Sequence, residues 1–155
     1  MDFELPEAQQ SIRANSRKIG DGFDDEYWRK HDDDGTFPRD FFEAIAKDGW
    51  LGICVPESHG GAGLGVTEAC VMMHEVALSP GGFSASSAIH INIFGPHPII
   101  VFGTDEQKER WLPGQVAGTV QSCFGVTEAN AGLNTTAIET RAERGGNGYV
   151  IHGSK

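Results

Sequence analysis

Several short stretches of this chain carry residue types that could do chemistry, and most fall short of the motif they suggest. Gly61-Ala62-Gly63-Leu64-Gly65 has the close glycines that can cradle a nucleotide diphosphate at a helix start. The fingerprint G-x-G-x-x-G needs a further glycine at Val66 or Glu68, and a strand before it, so the stretch reads as a tightly turning loop. His74-Glu75 opens the zinc motif H-E-x-x-H, but Leu78 stands where the second histidine belongs. His74 therefore reads as a helix-face histidine with an ordinary partner. Gly82-Phe83-Ser84-Ala85-Ser86 resembles a nucleophile elbow until its last residue, which should be glycine. Ser84 reads instead as a helix N-cap. His90 and His97 flank a kinked apolar stretch and read as core histidines, each with one backbone partner. Asn134-Thr135-Thr136 has the form of a glycosylation acceptor, which carries no weight in a chain read as reduced and cytoplasmic.

The elements that would position such residues are helical for about the first 115 residues. Pro6 stands where a first helical turn tolerates proline, and Leu5, Ala8, Ile12 and Ile19 follow at roughly helical spacing. A loop rich in acids and glycine is expected through about Gly35. Pro38 opens a second helix with Phe41, Phe42, Ile45 and Ala46 on one face, stopped at Gly49. Residues 50–65 read as a loop. A further helix is expected over 67–78, with Ala69, Met72, Met73 and Val76 as its apolar stripe. Residues 83–102 are apolar on nearly all sides, the pattern of a helix buried in a bundle, broken or kinked at Gly95-Pro96 and Pro98. Thr104-Asp105-Glu106-Gln107 has the form of a capping box, and its helix is expected to end before Pro113. After that the period changes to two. Val120, Ser122, Phe124 and Val126 alternate with Gln121, Cys123 and Gly125, which suggests a strand. Two more strands, 136–144 and 148–151, are expected around the turn Gly145-Gly146-Asn147-Gly148. A sheet of two or three strands is a poor independent unit, so the chain is expected to be truncated.

Composition narrows the function classes. A hydrophobic fraction of 39% supports a packed core. Twelve basic and 22 acidic residues give a formal net charge of −10, which repels nucleic acid and anionic membranes alike. No apolar run approaches the roughly 18 residues of a bilayer span. The start, Met1-Asp2-Phe3-Glu4, lacks the apolar stretch of a signal peptide. Cys54, Cys70 and Cys123 form no CxxC pair and read as small core residues, with no metal site implied.

One stretch is not a failed motif. Phe124-Gly125-Val126-Thr127-Glu128-Ala129-Asn130-Ala131-Gly132-Leu133-Asn134 resembles the signature of acyl-CoA dehydrogenases, in which an aromatic, a small and an aliphatic residue and Thr-Glu precede Pro-Gly-Ala-Gly-Ser-Asp. Three other stretches agree in order. Trp50-Leu51-Gly52-Ile53 through Val55-Pro56-Glu57 to Gly60–Gly65 is similar to the family's early loop. Phe102-Gly103-Thr104-Asp105-Glu106-Gln107-Lys108 through Trp111-Leu112-Pro113 to Gly118 is similar to its run into the β-domain. Thr140-Arg141-Ala142 and Gly148-Tyr149-Val150-Ile151-His152-Gly153-Ser154-Lys155 are similar to the strands that follow.

The resemblance implies a mostly α fold with a β segment. Residues 1–117 would be the family's amino-terminal helical domain, and 118–155 the incomplete start of its middle β-barrel domain. It implies an FAD-dependent oxidoreductase that dehydrogenates an acyl-CoA between its α and β carbons. A carboxylate removes the α-proton and the flavin takes the β-hydride. Phe124, Val126 and Thr127 would lie along the flavin ring. Gly132 and Leu133 would approach the FAD diphosphate or, for Leu133, the CoA arm of the substrate. The sequence departs from the family here. Leu133 and Asn134 replace Ser-Asp, and Ala129-Asn130 replaces Pro-Gly, so the serine hydroxyl bond is lost. No carboxylate of this chain fits the base, which is expected beyond Lys155 together with a Trp-Ile-Ser/Thr flavin contact. Glu128 reads as structural. The implied partners are acyl-CoA, electron-transferring flavoprotein or another electron acceptor, and further copies of the chain in a homodimer or homotetramer. Two other functions are weighed beside this one: a non-catalytic helical interaction module derived from the fold, and a related flavin oxidase or monooxygenase.

The chain by itself is expected to be inactive and to leave apolar helix faces uncovered. It should therefore self-associate or light up a hydrophobic dye. A monomeric, dye-silent chain with one cooperative unfolding transition would contradict this.

Overall fold

The computed structural model describes residues 4–155, and Met1-Asp2-Phe3 at the acidic start lies outside the described residues. The chain forms two compact units: one ends at Cys123, and the other runs Phe124–Lys155.

The first unit is helical. Its helices are α1 (Glu7–Gly20), α2 (Asp25–Asp34), α3 (Arg39–Lys47), α4 (Val66–Ala77), α5 (Gly82–Phe94), α6 (His97–Phe102) and α7 (Asp105–Val116). Its core is built on α3, whose Phe41, Phe42 and Ile45 are buried against Leu51, Met72, Val76, Ala85 and Ile89. Along α1 the buried face is Ile12, Ser16 and Gly20, with Ile19 half-buried, and it packs on α4. Ala8 lies outside that stripe.

The acidic segment expected as a loop contains α2. Asp24 caps it by accepting the Tyr27 N–H at 2.9 Å, and Gly35 ends it with a left-handed φ of 61°. Its apolar face is aromatic rather than aliphatic. The rings of Trp28 and Phe41 lie 5.1 Å apart, and those of Phe23 and Phe41 5.4 Å apart, both edge-on. The Tyr27 hydroxyl accepts the Phe41 N–H at 3.2 Å, satisfying a free donor of α3 that Pro38 cannot cap. Gly49 ends the α3 segment with φ 81°, as its position implied.

Three further helical expectations need correction. The apolar stretch 83–102 does break, between α5 and α6, but it is not buried on all sides. Ala85, Ile89 and Ile93 face the core, while Phe83 and Phe102 are each 86% exposed. Ser84 is not an N-cap, because α5 starts at Gly82 and carries Ser84 exposed within its first turn. The capping box holds as expected, with Thr104 Oγ1 accepting the Gln107 N–H and Gln107 Oε1 accepting the Thr104 N–H. Yet α7 passes through Pro113 and ends at Val116. Proline forfeits one helical bond. Here the last turn is held by buried Leu112 and Gln115 and by the Ala117 N–H bonded to the Pro113 carbonyl at 3.0 Å.

In α4 the buried Glu75 carboxylate accepts Arg13 Nε at 2.9 Å and Arg17 Nη2 at 3.0 Å, tying α1 to α4. Burial raises its pKa, but the two guanidiniums and His74 outweigh that and hold it below the usual carboxylate range. Of the cysteines expected in the core, Cys54 is half-buried and packs against it, whereas Cys70 and Cys123 are exposed and are not core residues. The reason is periodicity. Cys70 follows Ala69 on α4, and the buried face of that helix takes Ala69, Met72, Glu75 and Val76.

The second unit holds one antiparallel hairpin, β1 (Arg141–Gly145) and β2 (Gly148–His152), paired Arg141 with His152 through to Gly145 with Gly148. Gly146 has φ 57° while Asn147 has no positive φ, which is the pattern of a type II′ turn. The third strand expected in this region does not form, and β1 is shorter than the 136–144 expected. Residues 120–127 have no ladder partner, and residues 135–137 make a 3₁₀ turn instead of starting β1. Alternation marks a segment able to pair; pairing needs a neighbour. Among the described residues no helix is long and apolar enough to cross a membrane.

Phe41→Ala should cost about 3–5 kcal/mol of unfolding free energy, whereas Phe102→Ala should change it by less than about 0.5 kcal/mol. Urea unfolding of the two variants side by side measures the difference.

Candidate functional site

The five residues singled out from the sequence fall on one short piece of the second unit. Phe124, Val126 and Thr127 lie on a segment that runs without turn, bend or ladder partner. Phe124 is 57% exposed, Thr127 is exposed and Val126 half-buried. Among the described residues, the backbone N–H and C=O of Gly125 and Thr127 and the N–H of Val126 bond to nothing. The chain then turns over Glu128–Ala131, where each residue's N–H bonds the other's carbonyl, at 3.3 and 3.1 Å. Gly132 and Leu133 follow the turn. Leu133 is fully exposed, and a side chain at Gly125 or Gly132 would meet nothing within 4 Å. Neither glycine takes a left-handed φ, so what these positions offer is open space beside the backbone. Asn134 does local work: its Oδ1 accepts from the Thr136 N–H and hydroxyl.

Glu128 sits at the centre of this unit. Its side chain is 9% exposed. Oε2 accepts the Glu139 N–H at 2.7 Å and Oε1 accepts the Thr140 N–H at 3.1 Å, the two residues just before β1. The Lys155 ammonium lies 2.9 Å from Oε1 and also donates to the Val126 carbonyl at 2.9 Å. The Glu139 N–H above all, then Thr140 and Lys155, hold the Glu128 pKa down to about 2. Gly153 makes the return to Lys155 possible. Its φ is 148°, and a side chain there would collide with Thr140.

Sequence reasoning did not find Lys155, Asn92 or Gln115. Asn92 and Gln115 are buried polar residues on α5 and α7. Asn92 Oδ1 accepts the Ser122 N–H at 2.9 Å, and Gln115 Oε1 accepts the Ser122 hydroxyl at 3.0 Å. A polar residue on an otherwise apolar helix face was the available signal.

The failed motifs stay failed. The N–H groups of Ala62, Gly63 and Leu64 donate to the carbonyls of Gly52, Val55 and Ile53, so the glycine loop spends its donors on itself rather than on a phosphate. His74 Nδ1 lies 3.3 Å from Glu75 Oε1 on an exposed helix face. His90 has the expected backbone partner, Ser87 O at 3.1 Å, but is only half-buried, and His97 is exposed, so neither is a core histidine.

The sequence profile described as "Acyl-CoA dehydrogenase, N-terminal domain" matches residues 6–119. The chain belongs to the acyl-CoA dehydrogenase family. It is 33% identical over 155 residues to the probable acyl-CoA dehydrogenase YngJ of Bacillus subtilis, a match covering 100% of this chain and 40% of that relative. Among solved structures, butyryl-CoA dehydrogenase from Megasphaera elsdenii superposes with a TM-score of 0.84 at 26% identity, covering 99% of this chain and 41% of that one. PigA with FAD and proline superposes with a TM-score of 0.87 at 21% identity, covering 99% and 40%, a likeness of fold alone. The chain thus spans about 40% of the length of the relatives it matches.

Because its pKa in the folded chain is depressed, Glu128 stabilises the fold fully above its unfolded value of about 4.3. That contribution is lost as pH falls toward about 2. The amide signals of Glu139 and Thr140 should hold steady down to about pH 4 and titrate together below it. In Glu128→Gln they should not titrate in this range; NMR of the two amides across the acid range is the check.

Proposed function

We propose that this chain supplies the helical domain (1–117) and the first part of the β-domain (118–155) of an FAD-dependent acyl-CoA dehydrogenase. The whole protein would remove hydrogen from the α and β carbons of an acyl-CoA thioester. The observation that carries this is the run of backbone donors and acceptors at Gly125–Thr127, which among the described residues are all unpartnered except the Val126 carbonyl, lying within the family's signature stretch. A flat heteroaromatic ring edged with carbonyls and ring nitrogens needs such a set, and the open space at Gly125 and Gly132 lets a ligand reach it.

Bound there, FAD would supply the hydride acceptor. Phe124 would offer aromatic surface to its ring, Val126 its N–H, and Thr127 its N–H and hydroxyl. Gly132 and the backbone of Leu133 would approach its diphosphate or the CoA arm. Leucine offers no hydroxyl, so Leu133 would serve through its backbone and apolar surface. The exposed apolar residues of α5 and α6 would form one wall of the acyl pocket. Glu128 is not assigned as the base. A carboxylate held near pKa 2 by three donors is a poor proton acceptor at neutral pH. The base would lie outside this chain's residues. Electron-transferring flavoprotein or another acceptor would reoxidise the flavin, and the protein would work as a cytoplasmic homodimer or homotetramer.

The exposed Phe83, Val101 and Phe102 favour a second function, a non-catalytic interaction module. Absence of flavin from the full-length gene product, purified from its native host, would decide for it.

The full-length protein should purify yellow, and its flavin absorbance should bleach when an acyl-CoA is added without oxygen. Thr127→Val should slow that bleaching roughly fivefold, the loss of about 1 kcal/mol for one hydrogen bond. Stopped-flow absorbance measures the rate, and an unchanged rate would remove Thr127 from the cofactor's surroundings.

A further inference from the structure

We infer that Lys155 and Glu128 are positioning residues that hold the segment Gly125–Thr127 in place for the cofactor; the inference rests on the flavin function proposed above. A stretch of backbone with unsatisfied polar groups and no ladder has nothing of its own to keep its shape. In this chain the shape is imposed from the hairpin. The Lys155 ammonium holds the Val126 carbonyl, in the middle of the open segment, and the Glu128 carboxylate, at its end. The same carboxylate holds the N–H groups of Glu139 and Thr140, which lead directly into β1. Lys155 itself follows β2. Both ends of the hairpin therefore meet at one ion pair, and that pair grips the segment by a single carbonyl.

The grip leaves the neighbouring groups open. With the Val126 carbonyl taken, the N–H and C=O groups of Gly125 and Thr127 remain without partners among the described residues. The Glu128 side chain is only 9% exposed and already holds the Glu139 and Thr140 N–H groups and the Lys155 ammonium, so the clamp is preassembled and costs no ordering when a ligand arrives. Gly153 is the hinge that aims Lys155 back, since its φ and the closeness of Thr140 exclude a side chain there. Lys155 and Glu128 touch no reacting atoms. They act through Val126 and Thr127.

The test is the FAD dissociation constant of the full-length protein, measured by flavin fluorescence on the apo-protein, with the visible flavin spectrum as a second readout. Lys155→Met and Glu128→Gln should each weaken FAD binding about tenfold and alter the flavin band, the size of effect seen when groups that orient a ligand contact are lost. Lys155→Arg should restore most of the affinity. The double variant should cost about as much as either single one, because both break the same clamp. Wild-type affinity and spectrum in the single variants, or strictly additive losses in the double, would overturn the positioning role and leave the flavin function standing. Failure of the unaltered full-length protein to bind FAD would overturn the flavin function itself. If Lys155→Met does not fold, Glu128→Gln and Glu128→Asp decide by the same affinity: wild-type values in both would overturn the role.

Discussion

Burial of one face of α3 is the constraint on which the helical unit depends. Phe41, Phe42 and Ile45 have essentially no exposed surface, and they are met from α2, α4, α5 and the loop after α3. Each such side chain contributes about 1.5–3 kcal/mol when fully buried, so the face rewards every element that closes over it. Trp28 and Phe23 reach Phe41 from the α2 side edge-on, and Tyr27 adds the hydrogen bond that α3 lacks at its start. Without that contact, an acidic ten-residue helix would have little reason to form.

The second unit is organised on the opposite principle. It has no apolar core of comparable size; β1 and β2 are exposed along their whole length. Its order comes from a charged and hydrogen-bonded centre, Glu128, which gathers two backbone N–H groups and one ammonium. Charge-assisted bonds of this kind are directional. A core of side chains specifies volume, whereas a carboxylate with fixed donors specifies where particular backbone atoms lie. That would suit the cofactor-binding role proposed for the Gly125–Thr127 backbone.

The exposed apolar residues belong to both units: Phe83, Val101 and Phe102 in one, Tyr149, Val150 and Ile151 in the other. The buried polar pair Asn92 and Gln115 shows the complementary case. Each spends its side chain on Ser122, fixing the course of the chain just before the second unit begins.

Much of this was legible in the residues themselves, because the signals were local. The α3 face, the α4 stripe, the break at Gly95-Pro96, the Thr104–Gln107 capping box and the hairpin turn all depend on neighbours within four or five positions. The family, too, was readable from short motifs in order. What the sequence could not decide depended on partners far along the chain. The acidic α2 needed Phe41 to give its aromatic face a purpose. α7 could pass Pro113 because Leu112 and Gln115 had somewhere to be buried. The alternation over 120–126 could not become a strand without a neighbour to pair with. Glu128 was recognised as structural, but its work joins residues 11, 12 and 27 positions away, a set that no spacing rule names and that only the folded chain brings to one carboxylate.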